Sequence, residues 1–192
     1  AAPAASASAA PGGPSSPRDP GVPPPPPPAP PAEKSRLLIF DFDGTLALTP
    51  SPEEGSAHYE ATTGHPWPFR GWWGQAESLQ PPLYQLVRDG PAMADFWRER
   101  EAPDCHVVMM TGRLWFFRPL VTRWLDERGA RFDHAVFNPG SRGTLDYKLL
   151  AISDLLGRMR AVRAVEIWED RPEHAAVFER LHRNPRATGR AV

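Results

Sequence analysis

The sequence predicts an α/β fold, a Rossmann-like three-layer sandwich with helices on both faces of a central parallel sheet. Short apolar runs, over residues 37–40, 107–110, 135–137 and 165–168, alternate with segments of helical periodicity. That alternation is typical of parallel sheets whose strands are connected by helices. Residues 37–40 and 107–110 are also apolar throughout, which is expected of strands that are buried on both faces.

Three segments with apolar residues at helical spacing follow these strands. The first covers residues 117–125 and ends near Gly129, a residue type common just after a helix. The second covers residues 145–156 with Thr144 as its expected N-cap, and the third begins at Pro172. Helices in these positions would cover the faces of the sheet.

Residues 48–91 interrupt the alternation after the first strand. This insertion is rich in Pro, Gly and Trp and shows neither the strand period nor the helix period. A long irregular segment inside a compact domain is usually functional, so we expect a lid or binding loop. A short helix over residues 92–101 is expected to lead back into the sheet.

Residues 1–32 differ in composition from the rest of the chain. They hold 13 of the 25 prolines, and their only charged residues are Arg18 and Asp19. Because so few apolar side chains cannot offset the entropy of ordering, this tail is predicted to be disordered or polyproline II. Its proline run, residues 23–28, would suit a polyproline-binding domain of the SH3, WW or profilin type. Residues 33–192 are then long enough for one domain.

Composition excludes several classes of protein. Cys105 is the only cysteine, so the chain forms neither an internal disulfide nor a paired-cysteine zinc site, which fits a reducing compartment. No apolar run is long enough to cross a bilayer, and the Ala- and Pro-rich start lacks the features of a secretory signal. We therefore expect an intracellular protein without membrane contact, in the cytoplasm or nucleus, with an organelle left open. The net charge of −1 provides no overall positive field for long nucleic acid.

Two carboxylates follow the first apolar strand. Asp41 and Asp43 are two residues apart, so on an extended chain they face the same side, at the strand end where α/β sheets place ligands. Gly44 then permits an abrupt turn. A hard divalent cation such as Mg²⁺ would relieve the crowding of negative charge. The alternative is an ordinary turn at the end of a strand.

Groups suited to phosphate follow the second strand. Thr111, Gly112 and Arg113 offer a hydroxyl, backbone N–H groups and a guanidinium at an expected strand-to-helix junction. Lys148 is one of only two lysines among 22 basic residues, which indicates a place where a compact point charge is needed. The alternatives are a helix cap for the first group and a surface position for the lysine.

The last predicted strand ends in two further acids, Glu169 and Asp170. Adjacent residues on a strand face opposite sides, so only one of them is expected to bind a metal directly. Asp170 is favoured, with Glu169 as an indirect or water-mediated ligand. The alternative is that both acids stabilise the start of the helix at Pro172.

Taken together, these motifs resemble the haloacid dehalogenase-like (HAD) phosphohydrolase superfamily over residues 36–183. A closer resemblance is to the HAD domain of Swiss Army Knife RNA-repair-like proteins. It rests on LLIFDFDGTL, GWW (71–73), MTGR (110–113), the spacing from Thr144 to Lys148, and EDRPEH (169–174). The "GR" after Thr111 and the "DR" after Glu169 also resemble the phosphatase half of polynucleotide kinase–phosphatases.

The resemblance implies a phosphatase with an aspartyl-phosphate intermediate. Asp41 would attack phosphorus, and Asp43 would protonate the leaving oxygen and then take a proton from water. Mg²⁺ would be bound by the Asp41 carboxylate, the Asp43 carbonyl and Asp170. Thr111 and Lys148 would bind the phosphoryl oxygens.

The expected substrate is a phosphorylated nucleic-acid end or a nucleotide, with RNA favoured. Four tryptophans fall in or beside the insertion, and Trp72 and Trp73 are the candidates for stacking on a base. Arg70 and Arg113 could bind a second phosphate bidentately. The alternative for at least two of the four tryptophans, which include Trp67 and Trp97, is the small core of a lid.

Other functions fit parts of the sequence. A small-molecule phosphatase or a phosphoserine phosphatase would use the same core, although the long insertion argues against the second. A non-catalytic scaffold that uses its proline-rich tail is a further alternative. It leaves the acids and bases of the motifs unexplained.

Overall fold

The computed structural model describes residues 33–140, 142–181 and 187–191. The predicted tail, residues 1–32, lies outside these residues, and its disorder and its polyproline-binding partner stay predictions. The strands and helices, in chain order, are β1 Arg36–Phe40, β2 Ala47–Leu48, α1 Pro52–Thr63, β3 Arg88–Asp89, α2 Met93–Glu99, β4 Cys105–Leu114, α3 Arg118–Asp126, β5 His134–Asn138, α4 Thr144–Arg158, β6 Ala164–Glu169, α5 Pro172–Leu181 and β7 Ala187–Ala191.

The main sheet is parallel and has β1 at its centre. Its five strands lie in the order β5-β4-β1-β6-β7. Phe40, the last residue of β1, is level with Met109 of β4 and Trp168 of β6. The carboxyl ends of β1, β4 and β6 therefore meet at one edge. The predicted parallel sheet is confirmed, and β7 is a strand that the sequence did not reveal.

Two apolar layers flank the sheet, because successive residues of β1 face opposite sides. Leu38 and Phe40 pack with the buried side chains of α2 and α3, and Phe40 stacks on Trp168 at 4.2 Å between ring centroids. Leu37 and Ile39 pack with those of α4 and α5. This arrangement is the predicted three-layer α/β sandwich.

The insertion is more regular than the sequence predicts. It contains α1 and the antiparallel pair β2–β3, so the expectation of an irregular segment was wrong. Helix α1 buries only Gly55 and therefore shows no apolar period. Its start is fixed by a capping box in which Ser51 and Glu54 bond to each other's backbone N–H, and it ends at Gly64 with φ 74°.

Trp67 and Trp72 form the small core of this insertion. Their ring centroids are 4.8 Å apart, and Trp67 also meets Tyr59 edge-on at 5.2 Å. The Trp72 ring lies directly on Gly55, and its Nε1 donates to the Pro50 carbonyl at 3.1 Å. Trp72 is buried, so the prediction that it stacks on a substrate base is wrong. The alternative, a lid core built from two of the four tryptophans, fits.

Trp97 also lies elsewhere than expected. It is exposed on α2 and packs against Arg100, whose guanidinium is 5.1 Å from the ring centroid. Glu99 of the same helix pairs with Arg36 at 3.1 Å, and Arg36 begins β1. Trp97 is therefore near the amino edge of the sheet, opposite the edge at which Asp41 lies.

None of the helices in the described ranges is both long and apolar enough to span a bilayer.

Candidate active site

Residues from three elements meet at the carboxyl edge of the sheet. Asp41 follows β1 and is buried, and the Nζ of Lys148, from α4, lies 2.9 Å from its Oδ1. The same ammonium is 2.7 Å from Oε2 of Glu169, the last residue of β6. Asp170 comes next in the chain. The structure thus brings together four of the residues singled out in the sequence, although their chemical roles stay predictions.

These acids can accommodate a divalent cation. Asp41, Glu169 and Asp170 each offer a carboxylate oxygen, and the three oxygens lie within 4.8 Å of one another. The Asp170 carboxylate packs directly against Gly44, where φ is 73°. A Cβ atom on residue 44 would collide with that carboxylate. Oε1 of Glu169 is buried without a hydrogen bond from the described residues. Oxygen donors in this arrangement suit Mg²⁺.

The local electrostatics also favour a bound cation. Burial raises the pKa of Asp41, and the nearby Asp43 carboxylate adds to the rise, while Lys148 opposes it. Desolvation of the carboxyl group and the adjacent Glu169 raise the pKa of Asp170. Burial works against the charged form of Lys148, but its pKa is raised because Asp41 and Glu169 outweigh that effect. Three carboxylates lie near one ammonium, which pairs with only two of them, so a cation would relieve the remaining repulsion.

Asp43 is held by Arg113. The guanidinium Nε is 2.9 Å from Oδ2 and the Nη2 is 2.9 Å from Oδ1, a bidentate pair. Nη1 of Arg113 donates to the Ser78 hydroxyl at 3.0 Å, and the group lies over the rings of Trp73 and Phe117. Only 3% of Arg113 is exposed. The predicted contact between Arg113 and a substrate phosphate is corrected, because its donors face Asp43 and Ser78.

Thr49 provides a second partner for Asp43. Its hydroxyl donates to Oδ1 of Asp43 at 2.9 Å. Thr49 belongs to the segment between β2 and α1, whereas Arg113 belongs to β4. Asp43 is therefore oriented from two separate parts of the chain, and one of them is the insertion.

Thr111 and Gly112 occupy β4 itself and not a helix start. The strand continues to Leu114, and α3 begins only at Arg118, so the predicted strand-to-helix junction is corrected. Thr111 is buried, and its hydroxyl accepts from the backbone N–H of Arg113 at 3.1 Å. At Gly112 a Cβ atom would come within 2.6 Å of the Thr144 methyl group. Glycine at this position lets α4 begin close to β4.

Two exposed residues that were predicted to bind substrate, Trp73 and Arg70, differ in their position relative to the site. Trp73 is 42% exposed beside Arg113, so it lies at the site and is open to a ligand. Arg70 is exposed, and no contact joins it to the acids among the residues that the structure describes. The N-cap of α4 is Gly143, with Thr144 as the first helical residue, which corrects the expected cap.

Sequence reasoning missed two buried groups at the site. His174, in the first turn of α5, has its Nδ1 3.4 Å from Oε1 of Glu169. Tyr147 is buried next to Lys148, and both burial and the charge of Asp41 raise the pKa of its hydroxyl. His174 lies within the EDRPEH motif, so its position just after two acids was the available signal. Tyr147 gives no such signal.

An exposed aromatic pair beside the site was also missed. Trp115 is 66% exposed and Phe116 is 46% exposed, in the turn that follows β4. Phe116 stacks on Phe117 at 4.6 Å, and Phe117 lies under the guanidinium of Arg113. The available signal was the run of aromatics that begins two residues after MTGR, at the ligand-binding edge of the predicted sheet.

Comparison with known proteins identifies the family. Residues 65–190 match the family model described as HAD domain family 1 in Swiss Army Knife RNA repair proteins. The match covers more than half of the chain, so the chain belongs to this family, as the resemblance predicted. It begins after Asp41 and Asp43. No curated protein and no solved structure matches the chain.

Membership defines the class of protein. The fold is a Rossmann-like HAD fold, and the family indicates a HAD-type hydrolase of the phosphatase class. Enzymes of this kind generally use Mg²⁺ and act on a phosphorylated substrate.

Proposed function

We propose that this chain is a Mg²⁺-dependent phosphohydrolase that removes a terminal phosphate from nucleic-acid ends, preferably RNA, or from nucleotides. The observation that carries the proposal is the cluster formed by Asp41, Lys148, Glu169 and Asp170 at the carboxyl edge of the sheet. A nucleophile, a fixed cation and acidic ligands for a metal ion are the groups that phosphoryl transfer through a carboxylate needs.

Asp41 serves as the nucleophile. Its carboxylate oxygen forms a bond to phosphorus, and the bond from phosphorus to the leaving oxygen breaks. Lys148, 2.9 Å from Asp41, favours the ionised carboxylate and offers its remaining N–H donor to a phosphoryl oxygen, with the Thr111 hydroxyl as a further donor. The product of this half-reaction is an aspartyl-phosphate.

Asp43 serves as the general acid and then as the general base. It gives its proton to the leaving oxygen in the first half-reaction and takes one from water in the second. Arg113 and Thr49 hold the carboxylate in place between the two transfers. Water then attacks phosphorus, releases phosphate and regenerates Asp41.

The metal ion fits at the same acids. The Asp41 carboxylate, the Asp43 carbonyl and Asp170 would hold Mg²⁺, which supplies positive charge that stabilises the phosphoryl oxygens in the transition state. Glu169 has one oxygen paired with Lys148, so we assign it mainly to holding that lysine.

The aromatic surface supports a nucleic-acid substrate. Trp73, Trp115 and Phe116 are exposed, and the Arg113 guanidinium packs on both Trp73 and Phe117, the neighbour of Phe116. Stacking on such rings contributes about 1–3 kcal/mol per base and tolerates any sequence. The net charge of −1 disfavours long duplexes but not a short single-stranded end.

A phosphatase panel tests the proposed activity. The substrates are an aryl phosphate, mononucleotides, 3′- and 5′-phosphorylated oligonucleotides and a phosphopeptide, each with Mg²⁺ and with a chelator. We expect turnover that requires Mg²⁺ and the highest kcat/KM on an oligonucleotide. Preference for the phosphopeptide would favour a protein phosphatase, and no turnover of any substrate would favour the scaffold.

Trp115→Ala tests the stacking surface. Because one stacking contact is worth about 1–3 kcal/mol, we expect kcat/KM for the oligonucleotide to fall about tenfold or more. Turnover of the aryl phosphate should not change. Trp97→Ala is the matched control, since it removes an exposed tryptophan near the opposite edge of the sheet. Equal losses on both substrates would contradict a role in base stacking.

A further inference from the structure

A cleft opens beside the site in the insertion. It lies between α1 and the β2–β3 pair and has a volume of about 580 Å³. This is within the range of about 300–1,000 Å³ that ligand-binding sites usually have. Its lining combines apolar, polar and charged side chains, among them Leu48, Thr49, Glu54, Leu86 and Arg88.

Thr49 joins this cleft to the catalytic acid. Its hydroxyl bonds to Oδ1 of Asp43 at 2.9 Å, and the same residue lines the cleft. In the proposed reaction the group that protonates the leaving oxygen must stand next to it. Arg113, from β4, already pairs with the Asp43 carboxylate. The cleft is reached from Asp43 through Thr49, so the leaving group would extend from Asp43 into the cleft of the insertion.

Arg88 gives the cleft a positive charge. Hydrogen bonds from Ser51 and, to a smaller extent, this charge lower the pKa of Glu54. Arg88 is level with Leu48 in the β2–β3 pair, one residue from Thr49. Its side chain is exposed and has no hydrogen bond or ion pair with another described residue. Among the described residues that line the cleft, Glu54 is the only acid, and its carboxylate accepts from the Ser51 N–H at 3.0 Å in the capping box.

We propose that this cleft binds the leaving group of the substrate, a nucleotide whose next phosphodiester pairs with Arg88. The apolar side chains Leu48 and Leu86 would contact the sugar and base. The proposal rests on the proposed phosphohydrolase function and deepens it, because it makes the second phosphate a determinant of specificity. An exposed arginine can bind a phosphodiester bidentately.

The test compares substrates that differ by one phosphodiester. They are uridine monophosphate, the terminally phosphorylated diuridylate in its 3′ and 5′ forms, and an aryl phosphate. The wild-type protein should prefer one diuridylate over the mononucleotide in kcat/KM. Arg88→Ala should reduce that preference about tenfold, mainly through KM, because it removes a charged hydrogen-bond donor to the second phosphate. Turnover of the aryl phosphate should be unchanged.

Two further variants separate this role from a general effect of charge. Arg158→Ala removes an exposed arginine on α4 and should change none of the ratios. Glu54→Gln removes the negative charge from the cleft while Gln still completes a capping box, so the KM for the diuridylate should fall. Arg88→Ala should thus raise the KM for the diuridylate, and Glu54→Gln should lower it.

The outcomes distinguish the cleft from the activity itself. If the wild-type protein hydrolyses the aryl phosphate but treats uridine monophosphate and both diuridylates alike, the cleft proposal is overturned while the phosphatase stands. The same holds if Arg88→Ala lowers turnover of every substrate equally. Absence of turnover with all of them would instead overturn the proposed function.

Discussion

Replacing Asp41 by Asn is expected to lower kcat for an aryl phosphate by about four orders of magnitude or more, comparable to removing other enzymic nucleophiles. The amide has nearly the same shape, but it carries no charge and cannot form the aspartyl-phosphate. Initial rates at saturating substrate and Mg²⁺ measure the effect. Asp126→Asn is the matched control, because Asp126 is exposed on α3 and should leave the rate unchanged.

Thermal unfolding of the Asp41→Asn variant must be measured together with its rate. Lys148 keeps Glu169 as a partner at 2.7 Å, so the variant should remain folded. A folded Asp41→Asn protein that retains the wild-type rate would show that another residue attacks phosphorus.

Lys148→Met is expected to impair both stability and activity. The ammonium is the shared partner of two buried carboxylates, Asp41 and Glu169. Removing one partner of a buried ion pair typically costs about 3–5 kcal/mol, because the other charge is left uncompensated. We also expect kcat to fall by a factor of about 10²–10³, as in losses of single donors to a developing oxyanion.

Denaturant unfolding and initial rates measure these two effects, and the chain offers a matched control. Lys34 is the only other lysine, and it pairs with Asp133 where both side chains are more than a third exposed. Lys34→Met should therefore cost less than about 1 kcal/mol. Added Mg²⁺ should restore part of the stability of Lys148→Met, since a cation would offset the carboxylates. Equal stabilities of the two variants would contradict the assigned role of Lys148.

The layers of the fold could be predicted because two of the central strands contain continuous apolar runs. Residues 37–40 and 107–110 have no polar face, so only burial on both sides explains them. The carboxyl ends of parallel strands share one edge of a sheet. That rule alone places Asp41 and Glu169 together without any knowledge of side-chain contacts.

The insertion could not be predicted from periodicity. Helix α1 buries only Gly55 and half-buries Ser56, His58 and Tyr59, so its sequence carries no apolar face. Its readable signals were local ones: Ser51 and Glu54 at capping-box spacing, Pro52 at the first helical position and Gly64 at the end. β7 lies beyond the motifs, and its sequence, ATGRA, has no apolar run that would indicate a buried strand.

Arg113 shows the limit of assigning a role from a motif. An arginine after Thr-Gly at a ligand-binding edge fits a phosphate contact, and nothing in its neighbours along the chain indicates Asp43. The pairing depends on contacts across the fold, with Asp43 after β1 and Ser78 in the insertion. Trp72 is similar, because only the three-dimensional structure shows that it covers Gly55.

The most direct test of the account is to trap the phosphorylated protein. The wild-type protein and Asp43→Asn are mixed with aryl phosphate and Mg²⁺, quenched in acid, and digested for peptide mass spectrometry. We expect one phosphoryl group on Asp41, at higher occupancy in Asp43→Asn, because that variant lacks the base for hydrolysis of the intermediate. Continued turnover by the wild-type protein without phosphate on Asp41, or with phosphate on another residue, would contradict the account.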